Sequence, residues 1–557
     1  MPTLDWIGKK AVLNHHRQVP YHLLRCDEKL SVGDPGSGNL LVQGDNLLAL
    51  KALLPYFAGQ VKCIYIDPPY NTGNENWVYN DAVNSPEMRK WLGHVVGGEA
   101  EDLSRHDKWL CMMYPRLALL REFLREDGAI FISIDDNEVQ YLRAVMDELF
   151  GARNFITTLI WHKNYAPKGT AKHFSEDHDF ILVYARDGQS WRPRLVPRSD
   201  KQNKLYKNRD NDPRGPWRPN NLAARNYYSK GTYAIECPSG RLIEGPPKGS
   251  YWRVSEQRLR ELDKDGRIYW GKTGNSIPAP KIYLSEVKEG IVPQTIWHWS
   301  EVGHTQDAKK ELLAVCDFDD SQSVFITPKP VRLIRRILEI ASDKDSLILD
   351  SFAGSGTTGH AVLTQNKADS GNRRFILVEM HESICRDVTA QRIRKAIDGY
   401  GDTPGLGGGF RYCTLAEPLF DENGSIRPAV GFADLAAHVY FTETGEPLGM
   451  HRNKPPALPG DRNGKKASPG GAGGFTAQRP SLLIGTCKGT AYYLLFNGVL
   501  GDKRPDGGNV LTGKVLERLP LHDGPKVVYG EGCRLGAARL KRENIVFKQV
   551  PYEVKVS

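Results

Sequence analysis

The chain has no apolar run long enough for a membrane span, and its first ten residues, Met1 to Lys10, lack the apolar segment of a secretory leader. The expectation is a cytoplasmic protein. Nine cysteines, an odd number without a Cys-x-x-Cys pair, argue against a disulfide framework and a structural zinc site. Isolated, reduced thiols and no metal are therefore expected. No internal repeat is present, and the glycine-rich run around Gly354 lacks the lysine that follows in a phosphate-cradling P-loop. The rest of the composition is ordinary: 557 residues, 40% hydrophobic and 25% charged, enough for several domains and a large buried core.

Two short peptides stand out against this background. Asp67-Pro68-Pro69-Tyr70 follows an apolar run at 61–66, and Phe352-Ala353-Gly354-Ser355-Gly356-Thr357 follows another at 346–350. If both runs are strands of one sheet, both peptides lie on its carboxyl edge, where open α/β sheets bind ligands. The first suits a planar amine. The Asp67 carboxylate can accept one N–H, the Pro68 carbonyl the other, and Tyr70 can stack on a ring, while the tandem prolines stiffen the turn and remove competing donors. Such a site works by positioning and electrostatics, so Cys63 in the strand before it needs no role. In the second peptide Gly354 and Gly356 permit a sharp turn and close backbone approach, as in nucleotide-binding βα loops. Glu379 ends the next apolar run, where it could hold both hydroxyls of a ribose. That pairing favours an adenosine moiety over a triphosphate. Asp45, in Gly44-Asp45-Asn46, is a third acid at a strand end, suited equally to helix capping and to cofactor contact.

Strand and helix patterns alternate from 40 to 150 and again from 330 to 400, which implies a parallel sheet with helices on both faces. Between them the alternation stops. From Trp191 to Ser300 there are 21 Lys and Arg against 11 Asp and Glu, an excess of ten that leaves the rest of the chain nearly neutral. Basic residues interleave there with aromatics (Lys204, Tyr206; Trp217, Arg218; Tyr227, Tyr228, Lys230; Tyr251, Trp252, Arg253; Tyr269, Trp270, Lys272), a pattern suited to phosphate neutralisation and base contact. The expected organisation is an N-terminal arm (1–34), a first catalytic half (35–189), a basic target-recognition insertion (190–300), a second catalytic half (301–400), a glycine linker (401–409) and a small α+β domain (410–557) with a flexible loop near 453–478.

Taken together, Asp67–Tyr70, Phe352–Thr357 and the basic stretch between them resemble the β group of DNA amino-methyltransferases, and the Asp-Pro-Pro-Tyr form resembles its adenine-N6 members, which include the modification subunits of type III restriction-modification systems. Phe325-Ile-Thr-Pro-Lys-Pro330, Gly128 to Asp136 and His178 to Tyr184 are similar to further motifs of that group. The resemblance implies a circularly permuted, Rossmann-like, seven-stranded α/β sheet with its two motif strands adjacent. It also implies S-adenosyl-L-methionine as cofactor. Asp67, Pro68, Pro69 and Tyr70 would form the target-base pocket, and Asp350, Phe352, Ala353, Gly354, Ser355, Gly356, Thr357 and Glu379 the cofactor site. Thr327 and Lys329 would flank the methionine end of the cofactor, and Asp45 would approach its adenine. The implied partners are double-stranded DNA, a restriction or helicase subunit, and a second copy of the chain as a homodimer. N4-cytosine or RNA methylation and a non-catalytic recognition subunit are the alternatives.

Overall fold

The computed structural model describes residues 3–72, 86–96, 104–316, 318, 327–448, 482–498, 501–502, 504, 509–551 and 554. Phe325, Ile326 and the 453–478 loop named above lie outside the described residues.

One sheet organises the larger part of the chain. Its strands are β1 (His22–Gly33), β2 (Leu40–Gln43), β3 (Val61–Ile66), β4 (Leu124–Ile134), β5 (Phe155–His162), β6 (His178–Ala185), β7 (Ile296–Trp297), β8 (Leu347–Asp350), β9 (Arg374–Glu379) and β10 (Gly409–Pro418). Their spatial order is β1-β10-β2-β9-β8-β3-β4-β6-β5-β7. The seven central members, β2 to β5 in that order, are the expected methyltransferase sheet, with β6 as the single reversed strand. Strands β2, β3, β8 and β9 are buried on both faces, which is why they read in the sequence as short continuous apolar runs.

The sheet nevertheless has ten strands rather than seven. β1 comes from the expected arm, β7 from the end of the expected insertion, and β10 from the start of the expected C-terminal domain. Gly409, the last glycine of the expected linker, instead begins β10 and serves close packing. A Cβ on Gly409 would lie 2.4 Å from the Asp34 backbone nitrogen and 2.6 Å from the Val32 carbonyl, so only glycine lets β10 meet β1 there. β1 and β10 run antiparallel with Cys26 opposite Cys413, and the two form a disulfide. This corrects the expectation of nine reduced thiols. The partners are 387 residues apart, and only the sheet order brings them together. The other seven cysteines form no disulfide among the described residues, and burial pushes the Cys63 thiol up to about 12, so it stays neutral.

Helices cover the sheet. α1 (Asn46–Phe57) is capped by Asp45, whose carboxylate accepts from the Leu47 and Leu48 amides, and α2 (Arg105–Phe123) starts from a Ser104–Asp107 capping box. α3 (Val331–Ala341) precedes β8, and α4 (Thr357–Asp369) follows it. After β10 the helix Phe432–Thr444 and a four-stranded sheet, Leu483–Cys487, Thr490–Leu494, Lys526–Gly530 and Ile545–Gln549, complete this unit. Among the described residues no helix is long and apolar enough to cross a membrane.

Residues Arg194–Pro293 form a separate compact unit. Its small core gathers Leu222, Ile235, Trp252, Leu259 and Ile268 beside a three-stranded sheet. Asp212 accepts from Lys281 Nζ at 2.8 Å and Tyr283 Oη at 2.6 Å. These bonds outweigh burial and hold its carboxyl well below the usual range. Here the base-contact reading of the aromatics needs correction. Trp217 and Trp252 are fully buried, Trp252 within that core, whereas Tyr227 is 77% exposed. Composition alone cannot separate an aromatic that fills a small core from one that faces outward.

Candidate active site

β3 and β8 are neighbours in register, Cys63 with Ile348 and Ile64 with Leu349, and β9 lies on the far side of β8. Asp67, Asp350 and Glu379 therefore end three adjacent parallel strands on one edge. Behind this edge opens a cavity of about 170 Å³. Asp67, Pro68, Pro69, Tyr70, Thr327, Lys329, Asp350, Phe352, Ala353, Gly354, Ser355, Thr357 and Glu379 all line it. Asp45 and Gly356, also expected there, do not. Asp45 caps α1 and accepts from Arg116 Nη2 at 3.1 Å. Gly356 begins α4 at φ +78, where a Cβ would press within 3.1 Å of Thr389.

The glycine loop is held from two sides. The Gly354 amide donates to Glu379 Oε2 at 2.8 Å, the Ala353 amide to the Val378 carbonyl, and the His381 amide to Glu379 Oε1 at 3.0 Å. From behind, the fully buried Arg392 donates to Ser355 Oγ at 3.0 Å and to Thr357 Oγ1 at 2.8 Å. Arg392 escaped the sequence reading because nothing local distinguishes it from other arginines on the amphipathic helix Ala390–Asp398. Arg116, which lines the cavity and bonds Asn46, was missed for the same reason.

The Asp67 turn is likewise built from outside itself. Trp109 Nε1 donates to the Pro69 carbonyl at 2.7 Å, Asn71 donates to the fully buried Glu138, and the Tyr70 hydroxyl lies 3.5 Å from Asp179 Oδ2. Lys329 was expected at the methionine end, yet its ammonium sits 2.5 Å from Asp67 Oδ2. Asp67 Oδ1 is buried without a hydrogen-bond partner among the described residues. Replacing Trp109 with Phe keeps an aromatic ring but trims the buried indole and deletes its donor, which leaves the Pro69 carbonyl without the Trp109 bond. We expect turnover to fall roughly tenfold, the weight of about 1–2 kcal/mol for a buried unpaired acceptor, with cofactor affinity unchanged. Steady-state kinetics and calorimetry check it.

Two of the three acids around the cavity act on the third. Burial, with the Asp67 and Glu379 charges, pushes the Asp350 carboxyl up to about 7, against bonds from Thr358 Oγ1 and the Phe352 amide. Burial also pushes Asp67 up, opposed by Lys329. For Asp350 the folded state binds the proton more tightly than the unfolded chain, whose ordinary value is 3.8. Its contribution to stability is complete below about pH 4 and is lost as pH rises towards 7. Asp350→Asn cannot ionise, so its melting temperature is expected to climb relative to wild type between about pH 4 and 7. Parallel melting curves across that range would contradict the assignment.

A DNA methylase family model, N6_N4_Mtase, matches residues 61–391, which takes in both peptides and all three acids. The chain belongs to this family. Among relatives, the chain is 38% identical over 404 residues to the Mod subunit of the type III restriction-modification enzyme StyLTI from Salmonella typhimurium (strain LT2), covering 70% of this chain and 60% of the relative. It is 32% identical over 419 residues to the EcoPI Mod subunit of Escherichia phage P1, covering 69% and 64%. The type II methyltransferase M.KpnI of Klebsiella pneumoniae is 29% identical over 404 residues, covering 67% of this chain and 91% of that one. The chain thus spans under two thirds of the length of the two Mod subunits.

Proposed function

We propose that this chain transfers a methyl group from S-adenosyl-L-methionine to the N6 amino group of adenine in double-stranded DNA, at a specific site. The observation that carries this reading is Asp67 Oδ1, a buried acceptor with no partner among the described residues, at the end of a Pro-Pro-Tyr turn in the same cavity as the Glu379-bound glycine loop.

The cavity residues fit the cofactor by their chemistry. Three carboxylates suit a cationic ligand, and Glu379, already bonded to two backbone amides, has lone pairs left for ribose hydroxyls. Asp350, Phe352, Ala353 and Gly354 would line its adenosine part. When bound, S-adenosylmethionine supplies an electrophilic methyl group. The chain's own residues do the rest. Asp67 Oδ1 accepts one amine N–H and the Pro68 carbonyl the other, which turns the nitrogen lone pair away from the purine ring, and Tyr70 stacks on the base. The Asp67 charge stabilises the cation that develops on nitrogen in a water-poor site. N6 lies inside the duplex, so the base must be flipped out, at a cost of a few kcal/mol. The basic unit Arg194–Pro293 is the part suited to supply compensating DNA contacts and sequence choice. Similarity to type III Mod subunits extends the reading to a cytoplasmic restriction-modification system, a restriction subunit as partner and a homodimer.

Incubation with tritiated cofactor and DNA, RNA or protein tests the activity. Label in DNA supports the reading, and label only elsewhere or nowhere overturns it. Single-molecule sequencing of DNA from cells expressing the chain then identifies base and site together.

A further inference from the structure

Lys329 stands in a place where a flipped base is expected. Its ammonium lies 2.5 Å from Asp67 Oδ2, 5.1 Å from the centroid of the Tyr70 ring and 6.0 Å from that of Trp161. The side chain is 9% exposed. Its backbone is anchored: Pro328 and Pro330 flank it, Pro330 precedes α3, and the Lys329 carbonyl accepts from Thr357 Oγ1 at 3.2 Å. The stem is thus fixed while the four-carbon side chain retains rotatable bonds at its head.

The chemistry of the ammonium parallels that of the target. An exocyclic amine offers two N–H donors and an ammonium three, and both seek the same carboxylate. An ammonium over the Tyr70 face also engages the surface on which a base would stack. A base seated on Tyr70 and bonded to Asp67 cannot share that volume with the lysine head.

We propose that the Lys329 ammonium is an internal stand-in for the target amino group, which holds the Asp67 carboxylate and the Tyr70 face until an arriving base displaces it. This rests on the reading of Asp67 and Tyr70 as the target-base pocket. The lysine would keep the buried carboxylate paired when no DNA is bound, and it makes base capture an exchange of one cation for one neutral amine.

The test is chemical complementation of Lys329→Ala, with Lys329→Met as a second variant that keeps the apolar stem. Both are expected to lower KM for DNA roughly tenfold, the weight of a partly desolvated cation–π contact. Propylammonium chloride, compared with tetramethylammonium chloride at equal ionic strength, should restore the higher KM of Lys329→Ala without changing kcat, and leave wild type unaffected. If propylammonium instead raises kcat, the lysine is a positioning cation used in turnover and the stand-in is wrong. An unchanged KM in both variants, or no response to the amine, overturns it as well. Failure of the underlying function appears separately, as no label transferred to DNA by wild type. The pairing is read without DNA, from the acetylation rate of Lys329 by mass spectrometry. That rate should be several-fold slower in wild type than in Asp67→Asn, and equal rates would remove the basis of the proposal.

Discussion

Asp67→Ala is expected to abolish methyl transfer to DNA while S-adenosylmethionine still binds. The carboxylate ends β3 and reaches the cavity with one oxygen on Lys329 and the other unpaired among the described residues. Removing it deletes the proposed acceptor for the amine and the charge proposed to offset the developing cation. Losing a preorganised group of this kind costs about 10²–10³-fold in turnover, and loss of the lone-pair orientation adds to that. The glycine loop draws its bonds from Glu379, Val378 and Arg392, none of which is on β3. Cofactor affinity should therefore change little. The variant also frees Lys329 of its ion pair, so its head should become open to acetylation. Single-turnover transfer of tritium and calorimetric titration with the cofactor measure the two arms. Full activity in the variant would sink the assignment of the turn.

Glu379→Ala should show the opposite pattern, with cofactor affinity lost first. Its carboxylate accepts the amides of Gly354 and His381, so alanine leaves two backbone donors unpaired and removes the acceptor proposed for the ribose. Hydrogen bonds to a charged group are worth about 1.5–3 kcal/mol each, so a loss of roughly 10²-fold in affinity is expected. Glu379→Gln keeps one acceptor oxygen and should fall between the two. Binding by calorimetry decides the matter, and melting temperature reports separately on loosening of the loop. An alanine variant that binds S-adenosylmethionine as wild type does would remove Glu379 from the cofactor site.

The two predictions separate because the two halves of the cavity were legible to different depths. Asp67 to Tyr70 and Phe352 to Thr357 each follow their own strand within a few residues, and Glu379 ends the strand after the loop. A strand-turn-helix unit encodes such placement locally, and thirteen of the fifteen residues singled out line one cavity. Of the two uses read for Asp45, helix capping and cofactor contact, the structure shows the cap on α1, with Arg116 on the same carboxylate. The supports were not legible. Trp109 reaches Pro69 across 40 residues and Lys329 reaches Asp67 across 262, and no local pattern marks either pair.

Outside the cavity the same division holds. Gly409 looked like the end of a linker because glycine permits both flexibility and close approach, and only the position of β1 shows which applies. Tryptophans of the basic unit looked like base contacts because burial is a property of neighbours, which a segment read alone does not have. The amino-acid sequence by itself determined the two motif strands, the edge they share, the acids at their ends and the interruption between them, since each depends on contacts within a short stretch. The tertiary structure decided the ten-stranded sheet, the Cys26–Cys413 disulfide, the buried arginine behind the loop and the lysine on Asp67. Each of these depends on which distant strands become neighbours, and that choice belongs to the packing of the whole core rather than to any one segment.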